Sequence, residues 1–157
     1  MAYDFSADDI FEMALQLERN GATFYRKAAD SVSDVDAKKI LEDLAAMEEE
    51  HERTFEALRS KLTAGEKAPT VFDPMDEAVL YLQALADTRV FFEKEIDLSS
   101  MKEILKSAIE AEKDSIVFYL GMKESVAEGL GKGRLDQIIK EEMGHIRLLS
   151  KELVKFA

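Results

Sequence analysis

The feature that most constrains this chain is a four-residue pattern used twice: Glu48 to His51 and Glu142 to His145 both read Glu-x-x-His. The protein has only two histidines, and both lie in this pattern. The echo extends upstream, where Leu17-Glu18-Arg19-Asn20-Gly21-Ala22-Thr23-Phe24-Tyr25 matches Ala111-Glu112-Lys113-Asp114-Ser115-Ile116-Val117-Phe118-Tyr119. One shift of 94 residues carries Glu18 to Glu112, Tyr25 to Tyr119, Glu48 to Glu142 and His51 to His145. Self-similarity at a fixed period means one supersecondary unit used more than once. Here the unit is a helical hairpin.

Apolar spacing places the helices. Ser6-Ala7-Asp8-Asp9 offers a hydroxyl and acids at the positive end of a first helix running to about Ser31. Its seam is Ile10, Ala14, Leu17, Gly21, Phe24 and Ala28, with Glu18 at the border. A turn at Ser33-Asp34-Val35-Asp36 opens a second helix with the stripe Ile40, Leu44, Met47, His51, Phe55, Leu58 and Leu62, ending near Gly65. Successive helical residues turn by about 100°, so Glu48 shares a face with His51 while Glu49, Glu50 and Glu52 turn to solvent.

From Thr63 to Met75 the chain carries Gly65 and both prolines, Pro69 and Pro74, which reads as a crossover. Asp73-Pro74-Met75-Asp76 then caps a short helix through Val79, Leu80, Leu82 and Leu85. The apolar run Val90-Phe91-Phe92 follows. Ser100-Met101-Lys102-Glu103 is a capping box for the third long helix, striped by Ile104, Ala108, Ala111, Ser115, Phe118 and Met122. Gly129, Gly131 and Gly133 form the turn into the fourth, with Leu135, Ile138, Glu142, His145, Leu149 and Leu153 inward. The seven methionines are read as core filling.

The expected fold is therefore all-α. It is a single domain over 1–157, a four-helix bundle of hairpins at about 6–62 and 100–155. A long crossover at about 63–99, containing the short extra helix, joins helices two and three.

Residues three apart on a helix share a face, so Glu48 with His51, and Glu142 with His145, can aim an oxygen and a nitrogen at a common point. Adding Glu18 and Glu112 brings four carboxylates and two imidazoles to the bundle centre. No lysine or arginine lies on these stripes, and unpaired buried charge is prohibitive, so cations must balance the carboxylates. Two divalent ions with neutral histidines sum to zero. Oxygen-rich ligation with one nitrogen per ion suits iron, with manganese or a mixed pair as the alternative, better than zinc or calcium. Tyr25 and Tyr119, two turns beyond Glu18 and Glu112, are read either as supports for ligand carboxylates or as ordinary core tyrosines. With about one residue in eight a glutamate, both histidines would gain this partner by chance in about two per cent of cases.

Composition narrows the function. A formal charge of -12 with no basic run argues against nucleic acid. With no cysteine there is no disulfide, iron–sulfur site or thiol nucleophile. The start lacks a basic and apolar leader, and no run of some 18 apolar residues occurs, so a cytoplasmic protein without a membrane span is expected.

The pattern of Glu18, Glu48-x-x-His51, Glu112 and Glu142-x-x-His145 on four helices resembles the ferritin-like di-iron carboxylate proteins, and within them the rubrerythrin-like branch. The resemblance spans nearly the whole chain. It implies Glu18 and Glu112 as terminal ligands, Glu48 and Glu142 as bridges, and one histidine per iron. It also implies reduction of hydrogen peroxide, or of dioxygen, with electrons from a rubredoxin-type iron site. Two departures stand out. Without cysteine the rubredoxin domain is missing, so an external donor protein such as a rubredoxin is expected. Ser115 stands where rubrerythrins usually carry an extra glutamate.

Related di-iron sites support other functions. A ferroxidase or iron-handling protein would use the same ligands, although the chain closes at Phe156-Ala157 without the fifth helix of storage ferritins. A substrate hydroxylase would need room beside the metals, which Gly21 and Ser115 are small enough to leave. A metal-free interaction module is the remaining alternative. A homodimer is expected from the resemblance and the Val90-Phe91-Phe92 run.

Overall fold

The computed structural model describes residues 6–62, 77–88, 97–125 and 131–156. Among these, five α-helices and a terminal 3-10 turn account for the regular structure: α1 (Ala7–Ser31), α2 (Val35–Ser60), α3 (Glu77–Thr88), α4 (Met101–Ser125) and α5 (Lys132–Leu153). The four long helices are those expected, and α3 is the extra helix of the crossover. Among the described residues no helix is long and apolar enough to cross a membrane.

The helix starts follow the local chemistry. Ser6 caps α1 through a reciprocal box in which the Asp9 amide donates to Ser6 Oγ at 3.2 Å and the Ser6 amide donates to Asp9 Oδ2 at 2.9 Å. Asp34 accepts from the Ala37 amide at 2.9 Å to start α2, and Ser100 Oγ accepts from the Glu103 amide at 3.2 Å to start α4. At the start of α5, Gly131 has φ of 100°, and a Cβ there would lie 2.7 Å from Leu58. Both observations favour glycine. Gly133 belongs to the first turn of α5 rather than to the turn before it, while Gly129, Gly65, both prolines and Val90-Phe91-Phe92 lie outside the described residues.

The core consists of two apolar clusters. One joins the N-terminal part of α1 (Ile10, Phe11, Ala14) to the C-terminal parts of α2 (Phe55) and α4 (Phe118, Met122) and the N-terminal part of α5 (Leu135, Ile138). The other joins the opposite ends, with Phe24 and Ala28, Leu41 and Leu44, Ile104 and Ala108, and Leu149. Helices α1 and α5 therefore run one way, and α2 and α4 the other. This order requires a connection that traverses the bundle between α2 and α4. The predicted stripes are buried largely as expected, with one exception of consequence: Met47 is 40% exposed, and Leu41 and Ala45 take core positions on α2.

Surface arginines bind α1 to α2. Arg19 pairs with Glu52 at 2.6 Å, Arg26 pairs with Glu49, and Arg59 reaches Asp8 at 2.8 Å and also contacts Glu12. Exposed pairs contribute only about 0–1 kcal/mol each, so they refine the register while the apolar clusters supply the stability. Leu82 of α3 joins the first cluster, and Tyr81 donates to the Val117 carbonyl of α4 at 3.1 Å.

The contact between α3 and α4 depends on Gly121, where a Cβ would lie 2.8 Å from the Tyr81 ring. We expect Gly121→Val to destabilise the protein by about 1–3 kcal/mol through overpacking. A thermal melt would show it, and adding Tyr81→Ala should recover part of the loss.

Candidate metal centre

Between the two apolar clusters lies a layer of ionisable side chains. Glu18, Glu48, His51, Glu112, Glu142 and His145 are all buried, none more than 4% exposed. They come from all four long helices: Glu18 from α1, Glu48 and His51 from α2, Glu112 from α4, and Glu142 and His145 from α5. Their ligand atoms form two groups, Glu18–Glu48–His51–Glu142 and Glu48–Glu112–Glu142–His145, each with its atoms within 4.8 Å of one another. Glu48 and Glu142 belong to both groups. Each group could hold one cation, and Glu48 and Glu142 would then be shared between the two.

The orientation of the polar atoms tests whether such cations fit. Glu18 Oε2, Glu48 Oε1, both oxygens of Glu142, and Nδ1 of both histidines are buried without a hydrogen-bond partner. They approach one another, with His51 Nδ1 3.2 Å from Glu142 Oε1 and His145 Nδ1 3.1 Å from Glu142 Oε2, but are not directed at each other. Buried polar groups are almost always paired, so six orphans converging on one layer fit divalent ions. The imidazoles lie nearly parallel, with ring planes 19° apart and centroids 5.7 Å apart.

One oxygen each of Glu112 and Glu18 is held by a phenol. Tyr25 donates to Glu112 Oε1 at 2.6 Å, and Tyr119 donates to Glu18 Oε1. Each phenol supports the glutamate of the other half, so the two hydrogen bonds cross between the hairpins. Burial, followed by the charge of the adjacent glutamate, pushes both phenols well above their ordinary range, which keeps them protonated as donors. Gly21 makes room for the Glu48 carboxylate, since a Cβ there would sit 2.9 Å from Glu48 Oε2. The space that Gly21 leaves is therefore filled by protein rather than open to a substrate.

Two residues that touch the site were given no such role by sequence reasoning. Glu141 Oε2 lies 2.7 Å from His51 Nε2, and Met47 Sδ lies 3.2 Å from His145 Nε2. Met47 is thus a contact of the centre and not core filling. The signal was available, because each immediately precedes a shared glutamate and the 94-residue shift relates them.

Without a cation the layer neutralises itself by sharing protons. Burial, reinforced by the Glu142 charge, raises Glu18 to about 7. Burial with Glu48 and Glu112 nearby raises Glu142 to about 8. Burial opposes the charge on His51, but Glu142 and Glu18 outweigh it and push the imidazole up to about 11. His145 reaches about 12 because Glu112, Glu142 and Glu48 outweigh the same burial. Cation binding must displace these protons.

The sign for stability follows. Glu18 and Glu142 rise from an ordinary 4.5 to about 7 and 8, so the folded metal-free protein holds more protons than the unfolded chain across that window. We expect its melting temperature, with chelator present, to fall as pH rises from about 4.5 to 8. Glu142→Gln should flatten that fall and raise the metal-free melting temperature, while abolishing the stabilisation that added divalent metal confers on wild type. A lowered metal-free melting temperature in this variant would argue that the carboxylate is structurally satisfied. Tyr25→Phe and Tyr119→Phe should each weaken metal retention by about 10–100-fold in competition with a chromogenic chelator, with similar losses because their roles are symmetric.

The sequence profile of the rubrerythrin family matches residues 6–102, well over half of the chain, including Glu18, Glu48 and His51. Glu112, Glu142 and His145 lie beyond that span and are related to the matched residues by the internal repeat. No curated protein sequence matches the chain significantly. Among solved structures, a Thermotoga maritima chain described as a ferritin-like diiron-carboxylate protein superposes with a TM-score of 0.71 at 23% identity. The match covers 98% of this chain and 97% of that one, so the two share their fold along nearly their whole length. Together with the buried Glu/His layer, these likenesses place the chain in the rubrerythrin family, with a ferritin-like bundle as its fold.

Proposed function

We propose that this chain is a di-iron oxidoreductase that reduces hydrogen peroxide to water with electrons from an external donor protein. The observation that carries this reading is the pair of overlapping ligand groups sharing Glu48 and Glu142, with their orphaned atoms turned inward. Glu18, Glu48, His51, Glu112, Glu142 and His145 would hold two ferrous ions, which would supply the two electrons that reduction of one peroxide molecule to two waters requires together with two protons. The chain's own part is to hold the terminal carboxylates through Tyr25 and Tyr119, keep the shared carboxylates beside both positions, and exclude bulk water.

Two features favour a small oxidant over an organic substrate. All six candidate ligands are buried, and the space at Gly21 is occupied by Glu48. Membership in the rubrerythrin family supports peroxide as the oxidant. A chain without cysteine has no thiolate-bound iron to pass electrons inward, which supports a separate donor such as a rubredoxin. The same reading carries a cytoplasmic homodimer as its setting, a state that size-exclusion chromatography separates from a 24-subunit shell.

The deciding experiment is anaerobic titration with ferrous iron to saturation, followed by stopped-flow mixing with hydrogen peroxide or with air-saturated buffer. Two irons per chain and oxidation far faster with peroxide than with dioxygen are expected. Dioxygen as fast or faster would overturn the peroxidase reading in favour of ferroxidase or hydroxylase chemistry.

A further inference from the structure

The inner ligands of the two positions are matched by the repeat, but the groups behind the histidines are not. Glu18 answers to Glu112, the tyrosine donors cross symmetrically, and both shared carboxylates serve both positions. Behind His51 stands a carboxylate, Glu141 Oε2, at 2.7 Å from Nε2. The repeat-related contact behind His145 is a thioether, Met47 Sδ, at 3.2 Å from Nε2. Glu141 is itself steadied by Gln137 Nε2, which donates to Oε1 at 3.1 Å.

When Nδ1 of an imidazole binds a cation, Nε2 carries the proton and becomes the donor. A carboxylate accepting that proton fixes the tautomer, orients the ring and raises the basicity of the ligating nitrogen. A thioether is a weak acceptor and adds no charge. Glu141 also brings one more negative charge to its side of the centre than Met47 does. Both effects act in the same direction. They are moderated by solvent, because the Glu141 side chain is 45% exposed.

We infer that the two metal positions are unequal, the one at His51 binding a divalent cation about tenfold more tightly than the one at His145, with Glu141 and Met47 as the positioning residues that set the difference. This rests on the dinuclear reading of the site. It adds a filling order that the ligand set alone does not contain, so that a chain with one equivalent of metal carries it chiefly beside His51.

Because the chain has only two histidines, imidazole NMR gives one set of ring signals per position, assigned with His51→Gln and His145→Gln. The probe is zinc, titrated into the metal-free full chain. In wild type the His51 signals should respond over the first equivalent and the His145 signals over the second. Mutual repulsion between two ions would also produce two steps, so the variants carry the decision. Glu141→Met and Met47→Glu should each bring the two histidines to near parity. The double exchange should reverse the order, with His145 responding first.

Both side chains are substantially exposed, so the bundle should tolerate these changes, which circular dichroism would verify. Histidines that respond in step in wild type, or a preference that the exchanges leave in place, would overturn the inequality while leaving the dinuclear reading intact. No response at either imidazole up to two equivalents would overturn the dinuclear reading itself, and this inference with it.

Discussion

The structure depends on placing four carboxylates and two imidazoles, all buried, between two apolar clusters. Transferring an isolated carboxylate from water to such surroundings is prohibitive, and like charges in one layer compound the problem. Only two remedies exist: protons held far above their ordinary range, or cations. The metal-free layer shows the first remedy, with Glu18 and Glu142 raised and both imidazoles held in their charged form. The orphaned atoms on Glu18, Glu48, Glu142 and the histidines mark what the first remedy leaves unsatisfied.

A helical bundle suits this task because helices hold side chains without loops. Residues three apart on α2 and on α5 bring Glu48 with His51 and Glu142 with His145 to one face, and antiparallel packing sets those faces opposite each other. The apolar clusters on both sides resist collapse of the layer, since moving it would open cavities above and below. Gly21 and the phenols of Tyr25 and Tyr119 complete the cradle by spacing and hydrogen bonding rather than by charge. Symmetry stops at the edge of this cradle. The buried carboxylates and imidazoles are matched in both halves, whereas the residues behind the histidines meet solvent and differ, as Glu141 and Met47 do.

Much of this was legible in the chain because repeat and period carry direct physical meaning. The helix starts at Ser6, Asp34 and Ser100 were visible because each cap is a local interaction within about four residues. The inward position of Glu48 and Glu142 followed from their phase with the histidines and apolar neighbours, while Glu18 and Glu112 bordered their stripes and were brought inward by the repeat. Met47 shows where this reasoning fails: its place on the stripe suggested core, but the stripe rotates toward Leu41, Leu44 and Ala45, leaving Met47 at the rim beside His145. Glu141 was marked only by its place before Glu142 and its 94-residue relation to Met47, and its contact with His51 depends on how α5 packs against α2.

The sequence by itself determined the long helices, the caps at Ser6, Asp34 and Ser100, the inward set of carboxylates and imidazoles and the twofold repeat, since each of these depends on residues within a turn or two or on identity at a fixed interval. Only the tertiary structure decided that each tyrosine supports the glutamate of the opposite half, that Glu48 fills the space at Gly21, and that a carboxylate backs one histidine while a thioether backs the other. These are contacts between hairpins, fixed by how far each helix slides and rotates against the next. Sliding and rotation are set by the packing of the whole core, which no single segment encodes.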